Sequence, residues 1–491
     1  MRNDRRIPPR FRCCARPPAS VPSTSPLGDW GAGVVGNTQT RGVVPATAAG
    51  RWATALVLLA ALGVRVAVVI VTRHSYLPRT DSADFDMIAR SLAAGHGMGP
   101  AINLPGLNLV GPTAFRAPLY PTVLAAAYRV FGASWSVGRL ENAVIGVMAV
   151  ASIGIVASLI WGRRVGFIAL AISAVHPTMV LFGSSLNLEP LLIVMLMSTV
   201  AAALQYRRAP HRGWLVLAGA LFGLAVLTRE LGWILAVPVG WLVWTADGQP
   251  WRAAHRWTAR GLAVPGVVVL VATLVILPWT IRNAIDFHAF VPVSTSPGIT
   301  LAGPFNETSF ENRADPAAWL YAGNDPTLHR LIAAHPGLNE AQLNSELVHA
   351  DVSFIAHHVG YIPKAMVWGG IRLFDLRGTR DARVLAYFVS WPTGLALAAV
   401  YASYVIEALA IIGILLPATR RAPKAIWLIP VLALVSVTLI GGGIRLRASI
   451  EPFTILLATQ VVAFAFAGRA RALQSGAVAD PGRGGRDASL S

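Results

Sequence analysis

Ten apolar stretches dominate the chain, most of them near the length of about 20 residues that a helix needs to cross a membrane. Hydrophobic residues make up 55% of the 491 residues and charged residues only 13%, which is too apolar for a soluble domain of this size. The sequence therefore predicts an all-α, polytopic integral membrane protein. The stretches lie at 51–72, 138–161, 165–183, 187–205, 213–228, 231–246, 259–281, 388–416, 425–441 and 447–468.

An eleventh apolar segment, APLYPTVLAAAYRVFG at 117–132, is shorter and contains Pro121 and Arg129. Its length and charge leave three arrangements open: it spans the membrane, re-enters it, or lies along the interface. The predicted number of transmembrane helices is therefore ten or eleven.

Positive charge sets the predicted orientation. If the N-terminus is cytoplasmic, every inside loop is rich in Arg or Lys, as the positive-inside rule requires: WGRRVG, QYRRAPHRGW, ADGQPWRAAHRWTAR, PATRRAPK and the tail from GRARAL. The net charge of +18 comes from residues that flank apolar segments, not from a nucleic-acid-binding patch, and we expect no nucleic-acid partner. The sequence predicts a multi-pass protein of the inner (plasma) membrane with both termini cytoplasmic.

This orientation divides the chain into three parts. Residues 1–50 are predicted to be a disordered basic cytoplasmic tail, 51–468 the membrane domain, and 469–491 a second disordered cytoplasmic tail. Two long segments face outward, the first loop (73–137) and the long loop (282–387), and the long loop is expected to carry short interfacial helices. Most acids of the membrane domain fall on this outer side, where we expect the functional site.

The first loop contains RTDSADFDMIARSLAAGHGMG at 79–99, with apolar residues at helical spacing. Asp81 lies where this predicted helix begins, and two interpretations are open. An aspartate there is a common helix N-cap. A carboxylate at the water–membrane boundary is also well placed to take a proton from an acceptor hydroxyl.

The segment TDSADFDMIARSLAAGHGMG resembles the GDxxxYxxxAxxLxxGxG element of the GT-C superfamily of membrane glycosyltransferases, which includes protein O-mannosyltransferases and lipid A aminoarabinose transferases. Further segments resemble GT-C motifs in the same order and cover most of the chain between about 50 and 470. They are RAPLYPTVLAAAYRVFG (116–132), NLEPLLIVMLM (187–197), GLAVLTRE (223–230), LPWTIRNAIDFHAFVPVSTSPGITL (277–301) and GGGIRLRASIEPFTILLA (441–458).

This resemblance implies a GT-C-like fold and an inverting transferase that takes a hexose or pentose from polyprenyl phosphate. The acceptor would be a lipid, glycan or protein at the outer face, and Asp81 matches the family's catalytic aspartate. The chain departs from the motifs at Phe85, where Tyr is usual, at Glu230, where Pro is usual, and at Ile444 and Leu446. These departures affect the donor site more than the class of enzyme.

A lipid-phosphate leaving group needs nearby cations, because negative charge builds on its oxygens as the sugar bond breaks. Arg282, Arg445 and Arg447 are predicted to bind the donor phosphate, since the planar guanidinium can hold phosphate oxygens in pairs. The alternative is that these arginines reach out to lipid headgroups at the interface.

Arg116, Glu189 and Asp84 are predicted to bind substrate. Glu189 lies at the edge of an apolar run and should have a partner, either Arg116, Arg229 or an acceptor hydroxyl; a structural ion pair is the alternative. No cofactor and no metal site are predicted. A divalent cation between Asp81 and Glu189 has only weak support, because two acids are few ligands for such an ion.

Two other classes of function are open. A polytopic transporter or lipid flippase would place functional charges and broken helices near the bilayer midplane. A catalytically inactive, lipid-binding relative would keep the fold without the chemistry.

Overall fold

The structure, a computed structural model, describes residues 48–99, 103–104, 107–108, 111–246, 258–321, 324, 326–335 and 337–478. The chain divides into two units, Met1–Arg51 and Trp52–Ser491. Of the first unit only residues 48–51 are described, and they begin the first helix. Most of the two predicted tails, and residues 247–257 of a predicted inside loop, lie outside the described residues.

Helices form about three quarters of the described chain, which confirms the all-α, polytopic membrane fold. A two-stranded antiparallel ribbon is the exception, pairing β1 (Asn103–Leu104) with β2 (Leu107–Asn108). The helices are α1 (Ala48–Val71), α2 (Asp81–Ala93), α3 (Leu119–Phe131), α4 (Trp135–Trp161), α5 (Arg163–Val175), α6 (Pro177–Phe182), α7 (Glu189–Arg208), α8 (Arg212–Thr228), α9 (Ala236–Trp244), α10 (Ala259–Phe287), α11 (Pro297–Ala302), α12 (Glu307–Glu311), α13 (Pro326–Ala334), α14 (Glu340–His357), α15 (Tyr361–Leu373), α16 (Arg380–Val389), α17 (Thr393–Leu415), α18 (Lys424–Leu439) and α19 (Glu451–Val478).

Among the described residues, six helices are long and apolar enough to cross a membrane: Ala48–Val71, Trp135–Trp161, Glu189–Arg208, Gly261–Phe287, Thr393–Leu415 and Glu451–Arg469. Three shorter apolar helices, Arg212–Thr228, Glu230–Trp244 and Lys424–Leu439, coincide with three more of the predicted spans. Nine of the ten apolar stretches therefore become one apolar helical segment each.

The tenth stretch, 165–183, is broken in two. Helix α5 ends at Val175 and α6 starts at Pro177, because proline has no N–H to donate and disfavours helical geometry in the residue before it. Arg65 of α1 is fully buried at this break, and its guanidinium donates to the carbonyl oxygens of Ala174 at 3.2 Å and Met179 at 3.1 Å. The bond to Ala174 satisfies a carbonyl that the break leaves without a helical partner, whereas the Met179 carbonyl also accepts from the Gly183 N–H.

The eleventh apolar segment forms α3, which has 13 residues. At about 1.5 Å per residue it is far shorter than the hydrocarbon layer of about 30 Å. Instead it packs on α2, burying Tyr120, Leu124 and Tyr128. The first loop is thus a helical hairpin beside the membrane helices.

The long loop is helical as well, running from the end of α10 through α11–α16. Two helices of this loop, α14 and α15, follow each other closely and are separated at residues 358–360. Helix α14 begins with a capping box, in which Asn339 and Gln342 exchange side-chain and backbone hydrogen bonds. Phe115 of the first loop packs with Leu343 and Leu347 of α14, so the two loops share a small core.

Candidate functional site

Asp81 is the first residue of α2, and the residue before it is strained. Thr80 has φ +51°, a left-handed conformation that is unfavourable for a β-branched side chain. Thr80 is also the N-cap of the helix, with no side-chain capping bond. Backbone strain of this kind gathers at functional sites, where surrounding contacts hold it in place.

The Asp81 carboxylate pairs with two arginines. Arg116 Nη2 donates to Asp81 Oδ1 at 2.6 Å, and Arg445 Nη2 donates to Asp81 Oδ2. Asp81 is thus the first helical residue, one position after the N-cap, and a cationic side chain binds each of its oxygens. The interpretation of Asp81 as the helix N-cap is therefore wrong.

Arg116 also binds Asp84, one turn further along α2. Its Nη2 and Nε atoms lie 2.6 Å and 3.1 Å from Asp84 Oδ2. The guanidinium carbon is 4.5 Å from the ring centre of Phe115 and 5.6 Å from that of Phe85, which are cation–π distances. Carboxylates and rings therefore fix the position of this guanidinium.

Arg445 bridges Asp81 to a third acid. It lies in the 3₁₀ turn Ile444–Ser449, and its Nε is 3.1 Å from Glu189 Oε1. Glu189 is the first residue of α7 and its side chain is only 2% exposed. Arg229, between α8 and the 3₁₀ turn Glu230–Leu235, approaches the same Oε1 at 3.4 Å.

The site therefore contains three carboxylates and three guanidiniums from five separate parts of the chain. Burial favours the neutral acid at Asp81, but Arg116, Arg445 and Arg229 outweigh it and hold the pKa of this carboxyl well below its usual range. At Asp84 burial wins over the attraction of Arg116 and raises the pKa. The pKa values of two carboxylates one helical turn apart are thus shifted in opposite directions.

The structure brings together five of the predicted site residues, Asp81, Asp84, Arg116, Glu189 and Arg445. Arg282 is not among the contacts of Asp81. It pairs with Asp286 at 2.8 Å, one turn further along α10, and donates to the Thr113 carbonyl at 3.0 Å.

Arg447 belongs to a different cluster. Its side chain is 2% exposed and pairs with Glu451 at 2.6 Å and Glu407 at 2.9 Å, while His176 lies 3.1 Å from Glu451. A 3₁₀ helix turns about 120° per residue, so residues two apart point in different directions. This geometry sends Arg445 to Asp81 and Arg447 into the helix bundle.

Arg445 occupies the space between Asp81 and Glu189, the two acids that a divalent cation would have needed. Within the described residues, no group of three or more His, Cys, Asp or Glu side chains is arranged to hold a metal ion.

Two buried polar side chains that support this site were not predicted from the sequence. Arg139 of α4 is buried and donates to the Ser184 carbonyl at 2.7 Å, and Asn142 donates to the Asn187 carbonyl at 2.7 Å. Both brace the turn that leads into Glu189. The available signal was a charged residue within an apolar run, which is costly unless it has a structural or functional partner.

Comparison with known proteins gives a family match by sequence and a fold match by structure. Residues 115–279 match the family described as dolichyl-phosphate-mannose-protein mannosyltransferase, a stretch that includes Arg116, Glu189 and Arg229 but is less than half of the chain. No curated protein matches the chain in sequence. The apo oligosaccharyltransferase of Archaeoglobus fulgidus superposes with a TM-score of 0.50 at 14% identity, covering 88% of this chain and 52% of that one.

Two more distant structures also align. AglB of A. fulgidus, in complex with an inhibitory peptide and a dolichol-phosphate, has a TM-score of 0.48 and 14% identity over 91% of this chain and 53% of that one. ArnT of Cupriavidus metallidurans, bound to undecaprenyl phosphate, has a TM-score of 0.38 and 17% identity over 84% and 78%. The chain spans about half the length of the archaeal oligosaccharyltransferases that it matches.

The family match over residues 115–279 and the shared fold confirm the resemblance that the motifs indicated. The chain is a polytopic membrane protein similar to the glycosyltransferases of the GT-C superfamily.

Proposed function

We propose that the chain is an inverting glycosyltransferase that moves a hexose or pentose from polyprenyl phosphate to a lipid, glycan or protein acceptor. Asp81 is the general base, and the reaction takes place at the outer face of the inner membrane. One observation carries this proposal: a single carboxylate lies between two arginines that are both suited to hold a phosphate. The proposed base therefore lies next to the two cations of the proposed leaving-group site.

Arg116 and Arg445 are the donor-phosphate ligands in this proposal. Guanidinium binds phosphate and carboxylate oxygens with the same paired geometry. Asp81 is bound by both arginines in the geometry that a phosphate group would use. When the donor binds, its phosphate replaces Asp81 as the ligand of both arginines.

This exchange also prepares the base. A carboxylate paired with two arginines is a poor proton acceptor, because its pKa is held well below the usual range. Once the phosphate takes up the arginines' positive charge, burial is the dominant influence on Asp81 and its pKa rises. The donor therefore has to bind before the acceptor can be activated.

In the transfer step, the acceptor hydroxyl oxygen attacks the anomeric carbon from the face opposite the phosphate. The bond between that carbon and the phosphate oxygen breaks, and its electron pair leaves on the phosphate. Asp81 takes the hydroxyl proton. Arg116 and Arg445 stabilise the charge that develops on the polyprenyl phosphate, and the sugar is transferred with inversion.

Glu189 keeps Arg445 oriented while Asp81 is displaced, since Arg445 Nε remains bonded to it. Among the described residues, the second oxygen of this carboxylate, Oε2, is buried without a hydrogen-bond partner. Buried oxygens of this kind are rare in folded proteins. We assign it to a hydroxyl of the sugar or the acceptor.

The alternative hypothesis, a transporter or lipid flippase, requires functional charges near the bilayer midplane. The Asp81 cluster instead consists of residues at the ends of apolar helices or between them: Glu189 begins α7, Arg229 follows α8 and Arg445 follows α18. The segments that supply the cluster are also those that the charge distribution assigns to the outer side.

The test uses a strain from which the gene has been deleted. The strain is complemented separately with the wild-type gene, with Asp81→Asn and with Asp86→Asn, and the three are compared. Asp86 is the matched control on α2, since it binds Tyr128, Trp135 and Arg90 instead of the site arginines. Mass spectrometry of envelope glycolipids and glycoproteins should show a missing sugar that the wild type and Asp86→Asn restore and Asp81→Asn does not. Restoration by Asp81→Asn excludes the mechanism, and an unchanged envelope in the deletion strain favours an inactive relative.

A further inference from the structure

The two proposed phosphate ligands, Arg116 and Arg445, lie in or directly after stretches of irregular backbone. Arg116 lies in residues 111–118, before α3 begins, and Arg445 follows the turn Gly441–Gly443. Gly441 and Gly442 have φ angles of +89° and +57°, which glycine adopts readily and other residues rarely do. Such segments do not hold a long side chain in place unless other parts of the fold restrain them.

The long loop restrains the first segment through Thr113 and Ala114. The Ala114 carbonyl accepts from the Thr295 N–H at 3.0 Å, and the Ala114 N–H donates to Glu340 Oε1 at 3.1 Å. Arg282 donates to the Thr113 carbonyl at 3.0 Å. Three residues of the long loop therefore fix the backbone two and three positions before Arg116.

Glu340 is the centre of this attachment. It is the first residue of α14, is 5% exposed, and also accepts a hydrogen bond from the Thr295 hydroxyl. Burial raises the pKa of Glu340, although its hydrogen bonds oppose the shift. No hydrogen-bond partner of its buried Oε2 lies in the part of the chain that the structure describes, so this carboxylate is held through the bonds made by Oε1.

A second attachment holds the turn that precedes Arg445. Arg372 of α15 donates to the Gly441 carbonyl at 3.2 Å and to the Ala317 carbonyl at 2.9 Å. Asp315 pairs with Arg372 at 2.9 Å. A Cβ on Gly442 would lie 1.9 Å from the Gly369 carbonyl oxygen, so the turn packs directly on the α15 backbone.

We propose that the long loop is a positioning frame for the phosphate site, in which Glu340 sets the place of Arg116 and Arg372 sets the place of Arg445. Neither positioning residue touches substrate. The identity of the ligand, a polyprenyl phosphate, rests on the proposed function. Arg282 belongs to the frame through Thr113, which gives it a role other than direct contact with phosphate.

The frame predicts that its residues control phosphate binding through hydrogen-bond geometry. The full chain in nanodiscs is titrated with undecaprenyl phosphate. Glu340→Ala should weaken binding about tenfold, since it leaves the Ala114 N–H without its acceptor. Glu340→Gln keeps an oxygen acceptor and should bind like the wild type, as should the control Glu346→Ala, on an exposed part of the same helix.

Arg372→Met provides the second variant, with exposed Arg383→Met as its control. Arg372→Met should weaken binding and Arg383→Met should not. Thermal unfolding first establishes that both variants are folded. The frame is wrong if folded Glu340→Ala or Arg372→Met binds undecaprenyl phosphate as the wild type does. It is equally wrong if Glu340→Gln binds as weakly as Glu340→Ala.

Hydrogen–deuterium exchange, measured without ligand, separates this inference from the proposed function. Peptides containing Ala114 and Arg116 should exchange faster in Glu340→Ala than in the wild type or Glu340→Gln. If the wild type does not bind undecaprenyl phosphate but the three proteins show this difference in exchange, the proposed donor is excluded and the frame stands. Equal exchange in all three proteins overturns the frame.

Discussion

Arg116 Nη2 donates a 2.6 Å hydrogen bond to Asp81 Oδ1, joining two residues of the first loop across the hairpin of α2 and α3. The carboxylate that the motif marks as the base is therefore restrained by a cation suited to hold the leaving group. In the proposed mechanism, Asp81 becomes an effective base only when the donor phosphate competes for its arginines.

The exchange of counterions predicts two different acid limbs in the pH–rate profile. The value of kcat/KM for the donor reports the free enzyme, and kcat reports the donor complex. Asp81 must be ionised to accept a proton, so activity falls as the pH drops through its pKa. The kcat limb should lie at the higher pH, because the phosphate removes the attraction that keeps the pKa of Asp81 low in the free enzyme. Coincident limbs contradict the exchange.

Arg445 and Arg447 should differ in what their loss affects. Arg445 is 30% exposed at the site, so Arg445→Lys should raise the donor KM about tenfold with little change in melting temperature, because lysine lacks the guanidinium fork. Arg447→Met should lower the free energy of unfolding by about 3–5 kcal/mol, because it leaves Glu451 and Glu407 without their partner. Donor titration and thermal unfolding test both. A stable Arg447→Met protein that has lost phosphate binding would instead support Arg447 as a donor ligand.

Glu340→Gln should raise the melting temperature, and the gain should increase with pH. Burial raises the pKa of Glu340 in the folded protein above its value in the unfolded chain. The ionised acid therefore costs folding free energy, and this cost grows as the pH rises from the unfolded pKa of about 4.3 through the folded one. Thermal unfolding of both proteins between pH 4 and 8 measures it. A gain that shrinks with rising pH would show that the shift has the opposite sign.

Gly413→Ala should destabilise the packing of α17 on α19. A Cβ at this position would lie 2.2 Å from the Leu457 carbonyl oxygen, and such overpacking costs about 1–3 kcal/mol. Gly266→Ala in α10 is the control, because no neighbouring helix among the described residues lies within 4 Å of its Cβ position, and it should stabilise the helix by about 0.5–1 kcal/mol. Melting temperatures that move in the same direction for both variants contradict this account of the helix crossing.

The transmembrane architecture was largely predictable, because apolar length and loop charge are read along the chain without knowledge of contacts. The break in the 165–183 stretch is signalled by Pro177, but the stretch is apolar on both sides of it. The structure shows in addition that Arg65 donates hydrogen bonds to one carbonyl on each side of the break.

The site residues that lie in recognisable motifs were predictable from the sequence. The directions in which neighbouring side chains point were not. Asp81, Arg116 and Glu189 lie in separate motifs, and the structure brings them together with Arg445. Whether Arg447 follows Arg445 depends on the 3₁₀ geometry of the turn, which sequence spacing does not reveal. Glu340 could not be found from sequence, since its importance lies in a hydrogen bond to Ala114, more than two hundred residues away.

The affinity of Asp81→Asn for undecaprenyl phosphate, compared with that of the wild type, tests the central claim most directly. If Asp81 and the phosphate compete for Arg116 and Arg445, removal of the negative charge should tighten binding roughly 10- to 100-fold, the equivalent of about 1.5–3 kcal/mol. Unchanged or weaker binding by the folded Asp81→Asn protein would contradict the claim that a phosphate takes the place of this carboxylate.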